Sequence, residues 1–147
     1  TTRRMLDAEA FFRARPAGST ALDQGELVEE IRLPALAAGT RQAFQKFRIR
    51  KAIDFPIANV ATVVKIEAGK ITEARIALGA VAPVPLRATE AEHSLRGRAL
   101  SEGAAREAAG LAIAECIPLG RNDYKISVLR ALVTRALLAP PANQDPS

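Results

Sequence analysis

The chain has 147 residues, 48% of them hydrophobic, and a formal net charge of +5. That length suits one domain with a real core, and that composition excludes a disordered chain. No apolar run reaches the ~18–20 residues that span a bilayer, and a single cysteine, Cys116, excludes an internal disulfide and fits a reducing compartment.

The chain opens at Thr1, and Met5 is its only methionine, so the start reads as an internal cut in a larger polypeptide. Asp7–Phe12 reads as a short helical or turn segment, and Pro16-Ala17-Gly18-Ser19 as loop. Leu27–Leu33 predicts a strand that stops at Pro34, because the residue before a proline prefers extended backbone. The small residues of Ala35–Thr40, with Gly39 among them, mark the best boundary in the chain.

Ala43–Arg50 alternates, with Phe47 and Ile49 on one side and Lys46, Arg48 and Arg50 on the other. A period of two predicts a half-buried strand. Ile53–Pro56 interrupts it. Val60–Ile66 and Ile71–Leu78 are rich in Val and Ile and predict an antiparallel hairpin joined through Glu67-Ala68-Gly69-Lys70.

After Gly79 the period changes. Thr89-Glu90-Ala91-Glu92 has the S/T-x-x-E spacing of a capping box and predicts a short helix over Glu90–Leu95, with Gly97 as its left-handed stop. Ser101–Cys116 places Ala105, Ala108, Ala109, Ala112 and Ile113 on one helical side. Asp123–Leu138 is the clearest helix: Ile126, Leu129, Val133, Ala136 and Leu137 form its apolar stripe, and Pro140-Pro141 stops it. Strands first and helices second predict an α+β fold, an antiparallel sheet of three to four strands covered by three helices. Residues 141–147 are expected to be a disordered polar tail.

Few residues carry chemistry. His93 is the only histidine, so it has no second member for a metal site or a catalytic pair. Cys116 lies among Ala112, Ile113, Ala114 and Ile117 and reads as an inert thiol. No phosphate-binding G-x-x-x-x-G-K-[ST] or G-x-G-x-x-G occurs. The pI near 10 permits acidic partners. However, there is no tryptophan and only one tyrosine, Tyr124; Phe44, Phe47 and Phe55 do interleave with the basic residues, but alternation also makes them ordinary strand-core residues, so no nucleic-acid partner is expected.

One constellation remains: Lys46, Arg48, Arg50, Lys51 and Asp54 around a strand end. Such a group could hold a phosphate or steady an electron-rich ring. It could equally be a solvated strand face with a local Arg50–Asp54 pair, worth little at a surface.

The order R-K-x-x-D-F-x-x-A-N-V-A (Arg50 to Ala61), then I-T-E-A-R-I-A-L-G-A-V-A-P-V-P-L-R-A-T-E-A-E (Ile71 to Glu92), then L-R-G (Leu95 to Gly97), resembles the C-terminal domain of the FAD-binding, or medium, subunit of molybdenum hydroxylases. This is the xanthine dehydrogenase and carbon monoxide dehydrogenase family. D-Y-K-x-S-x-L-R (Asp123 to Arg130) resembles the family's last helix, with Leu129 where a tyrosine often stands. Glu9 to Phe12, Thr20 to Val28 and Ile31 to Pro34 look like the end of the preceding FAD-binding module. The resemblance implies domain limits of 1–38 for that trailing segment and 39–140 for the α+β domain. It implies an oxidoreductase in which FAD takes electrons from 2Fe-2S clusters, themselves fed by a molybdenum cofactor on a partner subunit, and passes them to an acceptor. By similarity Lys46 matches a lysine that contacts FAD, and Arg50–Asp54 a charged loop beside the isoalloxazine ring. The pyrophosphate-binding glycine loops of the family are absent from this sequence, so the chain alone is expected neither to hold FAD tightly nor to be active. Cytoplasmic location is expected, as is a hetero-oligomer with iron–sulfur and molybdenum subunits. The alternative is a non-catalytic docking domain of the same fold.

Overall fold

A computed structural model describes residues 3–16, 18–51 and 53–140. The elements run α1 (Ala8–Phe11), β1 (Phe12–Arg15), β2 (Gly18–Thr20), β3 (Thr40–Phe47), β4 (Ala58–Glu67), β5 (Lys70–Gly79), β6 (Leu86–Arg87), α2 (Thr89–Leu95), α3 (Glu102–Ala112) and α4 (Tyr124–Leu138). The strands β3-β4-β5-β6 form one antiparallel sheet in that order, and β1 and β2 form a separate small hairpin. The α+β architecture predicted from the sequence is therefore observed.

The β4–β5 hairpin turns on two residues, Ala68 (φ +49°) and Gly69 (φ +76°). Positive φ at both central positions is the geometry that matches the twist of the flanking strands. Near the turn, a bulge shifts the register between Lys65 and Ile66. The bulge explains why the buried residues of β5 run Ile71, Ala74, Ile76, Leu78, with one step of three before the period of two sets in.

One sheet face carries the core. Ala58, Val60, Thr62 and Val64 of β4 are buried with Ala74, Ile76 and Leu78 of β5. Helix α4 packs on β3 and β4, α2 packs on β5, and α3 lies against both helices. Thr62, a polar residue in this core, donates its hydroxyl to the Ala136 carbonyl at 3.3 Å. The end of α2 is pinned to β5: Gly97, at φ +75°, donates its N–H to the Ile71 carbonyl, and the Arg98 carbonyl accepts from Ile71, both at 2.8 Å. Ser101 caps α3 by accepting the Ala104 N–H at 3.2 Å. Ser101→Ala should lower stability by about 1 kcal/mol in urea unfolding, and a change within experimental error would show that the cap is not felt.

Several boundaries differ from the sequence reading. Strand β3 starts at Thr40 and ends at Phe47 rather than running over Ala43–Arg50. Pro16–Ser19 is not only loop, since Gly18 opens β2. Leu27–Leu33 forms no strand: Leu27, Ile31 and Leu33 are 77%, 80% and 85% exposed. Among the described residues, this stretch before Pro34 has no neighbouring strand to complete a ladder. Helix α3 stops at Ala112, short of Cys116. The expected tail, 141–147, lies outside the described residues.

The capping box is also corrected. Thr89 lies inside α2, the preceding Ala88 carbonyl accepts the first helical bond from Glu92, and no side chain caps the helix. Glu92 instead turns into the core edge, where its carboxylate accepts the Ile76 N–H at 2.8 Å and the Arg87 guanidinium at 2.6 Å. Arg87 reaches on to Glu9 of α1 at 2.6 Å, so one arginine ties the amino-terminal segment to the sheet edge.

Candidate functional site

Among the described residues, no helix packs on the second face of the sheet. Cross-strand register sets its rows: Lys46 opposite Asn59 opposite Gly79, then Phe44, Ala61 and Ala77, then Gln42, Val63 and Arg75. The first row stands at the end of the sheet where β3 turns into β4. The connection there, residues 48–57, closes when Ile57 donates its N–H to the Phe47 carbonyl at 2.8 Å.

Asp54 organises that connection. Its carboxylate accepts the Arg50 N–H at 3.1 Å, the Arg50 guanidinium at 3.1 Å and the Phe55 N–H at 3.0 Å. The Asp54 side chain is only 14% exposed, whereas that of Arg50 is 73% exposed. The guanidinium and the N–H of Arg50 hold the Asp54 carboxyl below its ordinary range. Partial desolvation opposes them, and the Phe55 N–H and the Lys46 charge add to the lowering. Asp54 therefore stays ionised at neutral pH and spends both oxygens inside the loop. Lys46 and Arg50 present their cations outward.

The structure thus brings the three predicted residues to one end of the sheet. It also shows a feature that alternation hid. Ile49, Ile53 and Phe55 stand 81%, 102% and 90% exposed on the same loop. The pattern Phe47-x-Ile49 reads as a strand's inward face, but the strand ends at Phe47 and Ile49 leaves with the loop. Apolar side chains beside cations suit a surface that meets a planar, electron-rich group or another protein segment.

Other candidates carry less. His93 is exposed on α2. Cys116 is partly buried, and that burial pushes its thiol up, away from the reactive thiolate. Among the described residues, no group of three or more His, Cys, Asp or Glu could hold a metal ion. Among the described residues, no helix is long and apolar enough to cross a membrane.

A sheet covered by helices on one face, with a cationic loop at the end of the other, agrees with the α+β domain that the sequence resembles. A family model for the CO dehydrogenase flavoprotein C-terminal domain matches residues 42–139, and the chain belongs to that family. It is 38% identical over 141 residues to the carbon monoxide dehydrogenase medium chain of Hydrogenophaga pseudoflava, covering 93% of this chain and 48% of that one. It is 29% identical over 137 residues to the glyceraldehyde dehydrogenase medium chain of Sulfolobus acidocaldarius, covering 90% and 47%. The solved structure of carbon monoxide dehydrogenase from Hydrogenophaga pseudoflava, lacking the Mo-pyranopterin moiety, superposes with a TM-score of 0.80 at 41% identity over 89% of this chain and 46% of that one. The chain thus spans about half the length of the curated relatives it matches.

The flavin implied by this family can be tested against the residues present. Lys46 and Arg50 supply cations where a ring that gains negative charge on reduction would be stabilised. The open face between them and β5 is walled by Ala61, Ala77 and Gly79, small residues that leave room for a flat group. These features fit the ring. The pyrophosphate half finds no glycine-rich run of backbone N–H groups in this sequence.

Proposed function

We propose that this chain is part of the FAD-binding medium subunit of a molybdenum–iron–sulfur–flavin hydroxylase or dehydrogenase, where it helps to position FAD. The observation that carries the reading is the end of the open sheet face, where Lys46 projects from the end of β3 and the Asp54-braced Arg50 from the following loop, which is edged with exposed apolar side chains. Bound FAD would supply the relay between iron–sulfur clusters and an electron acceptor. The chain's own residues do three things there. Asp54 fixes the loop, Arg50 and Lys46 hold positive charge beside the ring, and Ile49, Ile53 and Phe55 shield that side from water.

Residues 1–38 belong, in this reading, to the trailing segment of an upstream FAD-binding module, and 39–140 to the C-terminal domain. The exposed stretch Leu27–Leu33 then gains its missing strand partner from that module. The phosphates are held upstream as well, so the chain alone is not active. Its partners are the iron–sulfur and molybdenum subunits of a cytoplasmic hetero-oligomer.

The test is Lys46→Ala in the complete FAD-binding subunit. FAD binding should weaken about 5–30-fold, the ~1–2 kcal/mol of a charge interaction in a partly wet cleft. The flavin's reduction potential should fall, because removing a cation disfavours the reduced, anionic form. Unchanged affinity and potential would leave the exposed Ile49, Ile53 and Phe55 surface as a docking face and favour a non-catalytic assembly domain.

A further inference from the structure

We propose that Asn59, seated over Gly79 and beside Lys46, is a further flavin-binding residue, and that Gly79 is glycine so that Asn59 can take this position. The inference rests on the flavin reading above. Three observations carry it.

The first is register. Lys46 and Asn59 are direct cross-strand partners, and Asn59 and Gly79 are the next pair in the same row. Directly opposite side chains of an antiparallel pair stand about 4.5–5.5 Å apart at Cβ and point to the same face. A ring steadied by Lys46 therefore meets Asn59 next.

The second is the close approach at Gly79. A Cβ there would lie 2.9 Å from Asn59 Cγ and nearer still to Asn59 Oδ1. Any side chain at that position would drive the amide away. The backbone at Gly79 has no positive φ that would itself call for glycine. The missing Cβ is accounted for by the asparagine.

The third is that the amide is uncommitted. Among the described residues no side-chain hydrogen bond engages Asn59. It forms the polar spot of a groove of about 310 Å³ walled otherwise by small or apolar residues, including Ala61, Ala77, Pro83 and Pro85. A primary amide offers two donors and an acceptor. The pyrimidine edge of an isoalloxazine ring alternates carbonyl acceptors with an N–H donor, which an amide complements and a lysine cannot.

The experiment uses the complete FAD-binding subunit, stripped of flavin and titrated with FAD. Asn59→Ala should weaken binding about tenfold, the loss of one or two hydrogen bonds. Gly79→Ala should weaken it by a similar factor through displacement of the amide. The double variant should be no worse than either single one, because both remove the same contact. Asn59→Asp keeps the shape and adds a negative charge, so it should lower the flavin's reduction potential and alter its absorption spectrum. Unchanged affinity in Asn59→Ala, while Lys46→Ala still weakens binding, overturns this proposal and leaves the flavin reading standing. A loss in Asn59→Ala with no change of potential or spectrum in Asn59→Asp makes the residue merely structural and also overturns it. No effect of Lys46→Ala or of any Asn59 variant overturns the flavin reading itself.

Discussion

Leu129→Ala is expected to remove about 2–5 kcal/mol of unfolding free energy, the largest single loss of any substitution on α4. Leu129 is 1% exposed, and it lies on the helix that packs across β3 and β4. Val133, Ala136 and Leu137 of the same stripe, and Leu132 beside it, are all buried in the same core. The site is enclosed on both sides, by the sheet below and by α3 alongside, so the cavity cannot collapse freely. Val133→Ala, at 0% exposure but with a smaller side chain, should cost about 1.5–3 kcal/mol. Leu119→Ala, at 85% exposure, should change stability by less than about 0.5 kcal/mol. Urea unfolding of the three variants checks the order. A loss below about 1 kcal/mol for Leu129→Ala would mean that α4 does not hold the sheet.

The extent of that helix is legible in the sequence because its signal is periodic and long, and periodicity is what burial imposes on a helix, although the stripe leaves out the buried Leu132. The hairpin was legible for a similar reason. What escaped was set by tertiary register. Counting back from the Ala68-Gly69 turn alone pairs Asn59 with Leu78; the bulge beside Lys65 moves the register by one and puts Gly79 opposite instead. The uneven spacing Ile71, Ala74, Ile76, Leu78 is the trace that this bulge leaves in the sequence. Lys46, Arg50 and Asp54 were found as a charged cluster. The Arg50–Asp54 pair is legible in the sequence too; the two backbone N–H groups that Asp54 also accepts are not, since they depend on how the loop closes. Ile49 was assigned to a strand face because alternation continued past the strand's end, through a loop whose Asp54 brace depends on spatial closure. Leu27–Leu33 shows the converse: local pattern favours a strand, yet a strand needs a partner.

Glu92 has the spacing from Thr89 of a helix cap, yet it is buried and paired with a cation. Glu92 is 2% exposed, and its carboxylate accepts from the Ile76 N–H and from Arg87. Removing it by Glu92→Ala leaves a strand N–H unpaired beside an arginine without its main partner. A fully buried pair broken this way costs about 3–5 kcal/mol, but Arg87 is 33% exposed and regains water, so about 2–4 kcal/mol is expected. The pH dependence follows from direction alone. Burial pushes the Glu92 carboxyl up, yet the Arg87 guanidinium, the Ile76 N–H and the Arg87 charge outweigh it and hold the group below its ordinary value of 4.5. A carboxyl depressed on folding contributes stability above its unfolded pKa and loses it as pH falls through the folded one. The wild-type chain should therefore lose this contribution below about pH 4.5. Glu92→Gln keeps the shape and the Ile76 acceptor but cannot titrate. Its deficit against wild type, read by urea unfolding at a series of pH values, should be full at pH 7 and shrink steadily in acid. A deficit of the same size across that range would show that the Glu92–Arg87 pair is held by shape and hydrogen bonding, with the charge contributing nothing.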